Sequence, residues 1–125
     1  MMTKPGGTGI RKLINSTRYS WWGVRSAWKN EEAFRLECCL AAVMIPLSFV
    51  IGENLTHSLL MMISVTLVIL AEIINTALES VVDRISSEQH PLAGQAKDLG
   101  SAAVFLSLLV AATVWLLSLW QFFTS

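Results

Sequence analysis

The segment Glu72-Ile-Ile-Asn75-Thr-Ala-Leu-Glu79-Ser-Val-Val-Asp83 decides the fold, because it hangs three carboxylates and an amide on an otherwise apolar stretch of membrane length. At about 100° per residue, positions 72, 75, 79 and 83 fall within roughly 80° of one another on one helical face. Such a stripe is costly in hydrocarbon. Acidic groups in a membrane span face a bundle interior or an aqueous cavity and mark functional sites. The remaining sequence agrees with a membrane setting: 54% of the 125 residues are hydrophobic and mean hydropathy is +0.57, well above a soluble protein of this size. A chain of this length forms one domain.

Three apolar runs, at about 36–52, 57–82 and 99–122, predict transmembrane helices and an all-α membrane protein. Pro46 interrupts the first, which a membrane helix tolerates. Trp115 and Trp120 stand near the far end of the third, where interfacial aromatics belong. Some 35 largely polar residues precede the first run, so no signal-peptide pattern fits and the apolar segments are expected to remain. Of nine basic residues, seven (Lys4, Arg11, Lys12, Arg18, Arg25, Lys29 and Arg35) come before that run, and only Arg84 and Lys97 follow. The positive-inside rule then places the N-terminus in the cytoplasm, the 52–58 loop outside, the 83–98 loop inside and the C-terminus outside. Glu79, Asp83, Lys97 and Asp98 come to the cytoplasmic boundary, and Glu72 sits deeper by roughly 10 Å.

Residues 1–9 read as a flexible tail. Gly6-Gly7-Thr8-Gly9 before Arg11-Lys12 lacks the spacing and the preceding strand of a phosphate loop. From Ile10 to Phe34, aromatic and apolar residues alternate with basic ones without a run long enough to span, as expected for one or two helices lying in the cytoplasmic interface. Acidic Glu31, Glu32 and Glu37 are out of place in a pure anchor to an anionic leaflet, so some are expected to have partners. Cys38 and Cys39 are adjacent within an apolar run, which argues for packing rather than a disulfide or zinc site. The inner loop from Asp83 to Asp98 gathers carboxylates, His90 and Lys97 at one membrane face. Such a set is suited to a metal–nucleotide complex, with hard oxygen ligands for Mg²⁺ and a compact lysine charge for phosphate.

Three separated motifs resemble the small prokaryotic integral-membrane diacylglycerol kinases: the segment 72–83 with Arg84; Ala96-Lys97-Asp98-Leu99-Gly100-Ser101-Ala102-Ala103; and Tyr19-Ser20-Trp21, Ala27-Trp28, Asn30-Glu31 and Ala33-Phe34-Arg35. The likeness runs from about Gly9 to about Trp120. It implies a homotrimer in the bacterial inner membrane, with a periplasmic C-terminus and active sites shared between protomers. Each protomer would carry an amphipathic surface helix and three transmembrane helices. The implied reaction transfers the γ-phosphate of ATP to the primary hydroxyl of diacylglycerol, giving phosphatidic acid, with lipid recycling as its role and no nucleic-acid partner. Carried over by motif, Glu72 is the general base with Asn75 beside it, and Glu31 and Glu79 are metal carboxylates. Lys12, Tyr19, Glu88, His90, Lys97 and Asp98 complete the nucleotide site. Trp21, Arg25, Trp28, Arg35, Glu37, Ser101 and Trp115 match positions near the lipid. Lys12 stands in place of an arginine, Ser86 in place of a glycine and Pro91 in place of a polar residue.

The residues support these roles independently. An alcohol nucleophile must lose its proton, and Glu72 is the deepest acid, placed to meet a lipid hydroxyl. Glu79, two turns nearer the cytoplasm, can meet metal and phosphate. Asp83 fits pairing with Arg84 or Lys97 as well as it fits chemistry. Three rivals stand beside this reading: an undecaprenol kinase of the same family, a small proton-coupled exporter using Glu72, and a structural subunit whose acid stripe only specifies packing.

Overall fold

The computed structural model describes residues 7–85 and 90–125. These form four α-helices: α1 (Gly9–Asn30), α2 (Glu32–Ile51), α3 (Leu55–Ile85) and α4 (Pro91–Thr124). By its contacts the chain divides into two units, Met1–Glu32 and Ala33–Ser125. Most of the expected tail and the expected nucleotide residue Glu88 lie outside the described residues.

The first unit is α1, a single helix through most of the stretch where one or two were expected. Among the described residues it buries none of its own, leaving Ile10, Leu13, Ile14, Trp21, Trp22 and Trp28 exposed. Tyr19 and Trp22 stack obliquely, with ring centroids 5.6 Å apart. Its last turn closes through the Glu31 amide, which donates to Ala27 O at 2.8 Å while Glu31 itself is extended. Helix α2 restarts at Glu32, a few residues before the expected apolar run.

In the second unit, α2, α3 and α4 are each long and apolar enough to cross a bilayer. Pro46 lies within α2 and on its exposed side, and the helix continues through it to Ile51. Helix α3 has 31 residues and α4 has 34, so at 1.5 Å per residue each is about 45–50 Å long, against a hydrocarbon core of about 30 Å. Both therefore overhang it. Hydropathy marks the part of α4 that suits lipid, whereas the helix itself begins eight residues before the expected Leu99. His90 and Pro91 set that start: the imidazole Nδ1 accepts from the Leu92 amide at 3.1 Å, and proline follows at the first helical position, where no N–H is needed.

The core joins Ala41 and Ile51 of α2, Met61 and Val65 of α3, and Trp115 of α4. Trp115 is only 6% exposed, and its indole N–H donates to Met61 O at 3.2 Å. It is a core residue, not the interfacial aromatic expected from its place near the helix end. Trp120, at 71% exposed, keeps that place. The buried serines of each helix satisfy themselves: Ser48, Ser64, Ser107 and Ser118 donate to carbonyls three or four residues earlier. Ser58 is the exception, donating across to Ser48 O at 2.8 Å. Gly52 makes this close turn possible, because a side chain there would collide with Ser58 Oγ.

The same end is tied to α4. Asn54 Oδ1 caps the His57 amide at 2.9 Å, and His57 Nδ1 accepts from the Glu53 amide at 3.1 Å. An accepting Nδ1 leaves the proton of the neutral ring on Nε2, which donates to Ser118 Oγ at 2.8 Å. Ser118 passes its own hydrogen to Val114 O. His57→Ala removes two of these bonds, so a loss of about 1–2 kcal/mol is expected. Thermal unfolding in detergent checks it; an unchanged Tm would show that this link carries no stability.

Candidate functional site

The two residues of the α3 stripe nearer its N-terminus are covered and the two nearer its C-terminus are exposed. Glu72 is half-buried, Asn75 is 9% exposed, and Glu79 and Asp83 are exposed. Counting about 20 residues of span from Leu55 ends it near Asn75, so Glu72 lies in the last apolar turn and the other two acids lie in the overhang.

Asn75 Nδ2 donates to Glu79 Oε1 at 2.8 Å, one helical turn away. A carboxylate only accepts, so this contact fixes which end of the amide faces Glu79. The other end, Asn75 Oδ1, is buried with no hydrogen-bond partner among the described residues. It lies against Gly100 of α4, where an added Cβ would collide with it. One turn before Gly100, Lys97 Nζ meets Asp83 Oδ1 at 2.7 Å, with the side chains 46% and 64% exposed. Of the two partners open to Asp83, the structure chooses Lys97. Asp98 and Ser101 are exposed on the same helix. Asn75, Glu79, Asp83, Lys97 and Gly100 thus assemble at one end of the packed pair α3 and α4.

A second group lies along the bilayer-spanning part. Glu37 and Trp115 border a cavity of about 340 Å³ together with Met44, Val65, Val68 and Leu108. Its lining is apolar apart from Glu37, whose Oε1 is buried without a hydrogen-bond partner among the described residues. Glu37 and Trp115, both expected near the lipid, are therefore brought together. Arg35 is half-buried on the first turn of α2. Lys12, Tyr19, Trp21, Arg25, Trp28 and Glu31 belong to the first unit. His90, expected at the nucleotide, spends Nδ1 on the cap of α4.

Among the described residues no three His, Cys, Asp or Glu side chains form a metal-binding group. A divalent ion that keeps its water and rides with phosphates needs only one or two protein carboxylates. Glu79 suits that demand: it is exposed, and Asn75 occupies Oε1 while Oε2 stays available. The donor chemistry thus fits Mg²⁺ delivered with a nucleotide. Gly100 went unassigned in the sequence, where its signal was a glycine inside an apolar helical run.

A helical membrane protein with polar, charged side chains collected at one end of its spans is the class that this geometry defines. The comparisons specify it further. The family model for prokaryotic diacylglycerol kinase matches residues 18–119. The chain is similar to the diacylglycerol kinase of Haemophilus influenzae, 54% identical over 108 residues, covering 86% of this chain and 92% of that protein. It is similar also to those of Escherichia coli K12, 43% identical over 116 residues (93% and 95%), and Pseudomonas aeruginosa, 40% identical over 110 residues (88% and 89%). The chain belongs to the prokaryotic diacylglycerol kinase family.

The Lys97–Asp83 pair is exposed and its strength is screened by water. Asp83→Asn is accordingly expected to leave Tm within experimental error; a fall of several degrees would make the pair a structural clamp.

Proposed function

We propose that this chain transfers the γ-phosphate of MgATP to the primary hydroxyl of diacylglycerol, releasing ADP and phosphatidic acid. The observation that carries this reading is the depth-graded array on α3, in which half-buried Glu72 precedes exposed Glu79 by two helical turns. Family membership and the names of the relatives support the same chemistry. Neither the exporter nor the structural-subunit reading draws support from them.

Glu72 accepts the hydroxyl proton as the lipid oxygen bonds to the γ-phosphorus and the bond to the β–γ bridging oxygen breaks. Glu79 and Glu31 are the carboxylates that would hold Mg²⁺, which would supply charge neutralisation on the phosphates. Asn75 aims the Glu79 carboxylate through the 2.8 Å hydrogen bond. Lys97 exchanges Asp83 for phosphate, and Asp98, Lys12, Tyr19, Glu88 and His90 complete the nucleotide side. On the lipid side, Glu37 and Ser101 address the glycerol, and the cavity beside Trp115 receives acyl chain. Trp21, Arg25, Trp28 and Arg35 hold the headgroup region, with α1 as an amphipathic helix on the membrane surface. The protein works as a homotrimer in the bacterial inner membrane, with its N-terminus in the cytoplasm and its C-terminus in the periplasm.

Purified protein in lipid mixed micelles with labelled MgATP should phosphorylate diacylglycerol in preference to undecaprenol. Transfer only to undecaprenol would reassign the acceptor, and transfer to neither would end the kinase reading. Glu72→Gln should lower turnover by at least about 100-fold, the scale of a lost general base, while largely sparing nucleotide binding. Near-normal turnover would remove Glu72 as the base. Glu79→Ala should raise the Mg²⁺ concentration needed for half-maximal rate; an unchanged requirement would exclude it as a ligand.

A further inference from the structure

The unpartnered oxygen of Asn75 needs an explanation. A buried amide oxygen without a donor costs free energy, and here the amide cannot rotate to relieve it, because Nδ2 is held by Glu79 Oε1. What faces Oδ1 is the position where Gly100 lacks a side chain. Gly100 is itself buried, in the first apolar turn of α4. The hydrogen that a glycine carries in place of Cβ points at that oxygen, a weak Cα–H···O contact that recurs where helices approach closely. An alanine methyl at this position would collide with Oδ1, and the other two nearest heavy atoms, Cγ and Cβ, also belong to Asn75. By contrast, Gly94, six residues earlier on α4, has nothing within 4 Å of its Cβ position. Free space is thus reserved at position 100 for one side chain, and that side chain holds Glu79.

We infer that Gly100 is a positioning residue of the phosphate-transfer site, acting through the Asn75 amide to set the direction of the Glu79 carboxylate. A methyl group at position 100 pushes the amide out of its rotamer. The Nδ2–Oε1 hydrogen bond is lost, and Glu79 is left to wander among its own rotamers. The inference rests on the proposed role of Glu79 at the metal, and deepens it by naming a residue with no functional group as part of the apparatus. Loss of a residue that orients a ligand typically costs 10–100-fold in metal affinity or activity, so Gly100→Ala is expected to raise the half-maximal Mg²⁺ concentration by at least about 10-fold. Gly94→Ala should leave it unchanged.

The test is a double-mutant cycle on the full-length protein in lipid mixed micelles, reading both Tm and the Mg²⁺ dependence of diacylglycerol phosphorylation. The variants are Gly100→Ala, Asn75→Ala, their combination, Gly94→Ala and Glu79→Ala. With the amide gone the methyl has nothing to strike, so the double variant should match Asn75→Ala in both readouts. Should Gly100→Ala alone fail to fold, recovery of the fold in the double variant would carry the same message. The inference is overturned if Gly100→Ala keeps the wild-type Mg²⁺ requirement, if it lowers only Tm, or if the two substitutions add. It is equally overturned if the double variant stays unfolded while Asn75→Ala folds. The Glu79→Ala arm separates the two layers. If that variant keeps the wild-type Mg²⁺ requirement, the metal role of Glu79 falls, while the cycle in Tm still decides whether Gly100 acts through Asn75.

Discussion

A helix in hydrocarbon satisfies its interior backbone groups internally, so the cost of any polar residue there falls on its side chain. This constraint sorts the polar residues of the second unit. Serines fit almost anywhere because Ser48, Ser64, Ser107 and Ser118 each return the hydroxyl hydrogen to a carbonyl of the preceding turn. Ionised carboxylates have no hydrogen to return and so no such remedy. Those on the helices lie in the last apolar turn of α3, as with Glu72, where α3 and α4 run on past the apolar part of the chain, or, as with Glu37, at the rim of a cavity. The polar end of the structure is thus a consequence of helix length as much as of residue choice.

The α3 stripe was legible because a period of 3.6 turns sequence spacing directly into a shared face. For Asp83 the sequence left two partners open, Arg84 and Lys97, and the structure pairs it with Lys97. What escaped was most of what contact between helices sets. Trp115 and Trp120 look alike in sequence, near one helix end, yet one fills the core against Met61 and the other is exposed. The link from His57 to Ser118 joins residues 61 positions apart, and no local pattern predicts it. Gly100 stood in the sequence only as a member of the 96–103 motif with no role of its own, since the reason for it lies on another helix. Helix starts were misjudged for a simpler reason: hydropathy reports which turns suit lipid, and helices do not stop at that border.

Several contacts at the polar end are individually weak. The Asp83–Lys97 pair is water-exposed, and a hydrogen bond from the Asn75 amide holds Glu79. On the proposed assignments that weakness suits groups that exchange partners when phosphates arrive, since a lysine locked in a buried pair would have to be desolvated and released at each turnover. The strong contacts lie elsewhere, in the apolar packing around Met61 and in the turn where Gly52, Ser58 and Ser48 meet. Rigidity at the middle and the far end leaves the working end free to trade ligands without loosening the fold.

Helix α3 carries Glu72 and Glu79 on one uninterrupted rod that overhangs the hydrocarbon. A bilayer that thickens or thins makes such a rod tilt or shift. Proton acceptor and metal carboxylate then move as a unit, their spacing unchanged, while their height above the lipid hydroxyls changes. On the proposed assignments, membrane thickness becomes a setting of how well acceptor lipids reach the site, with the chemistry inside it left alone.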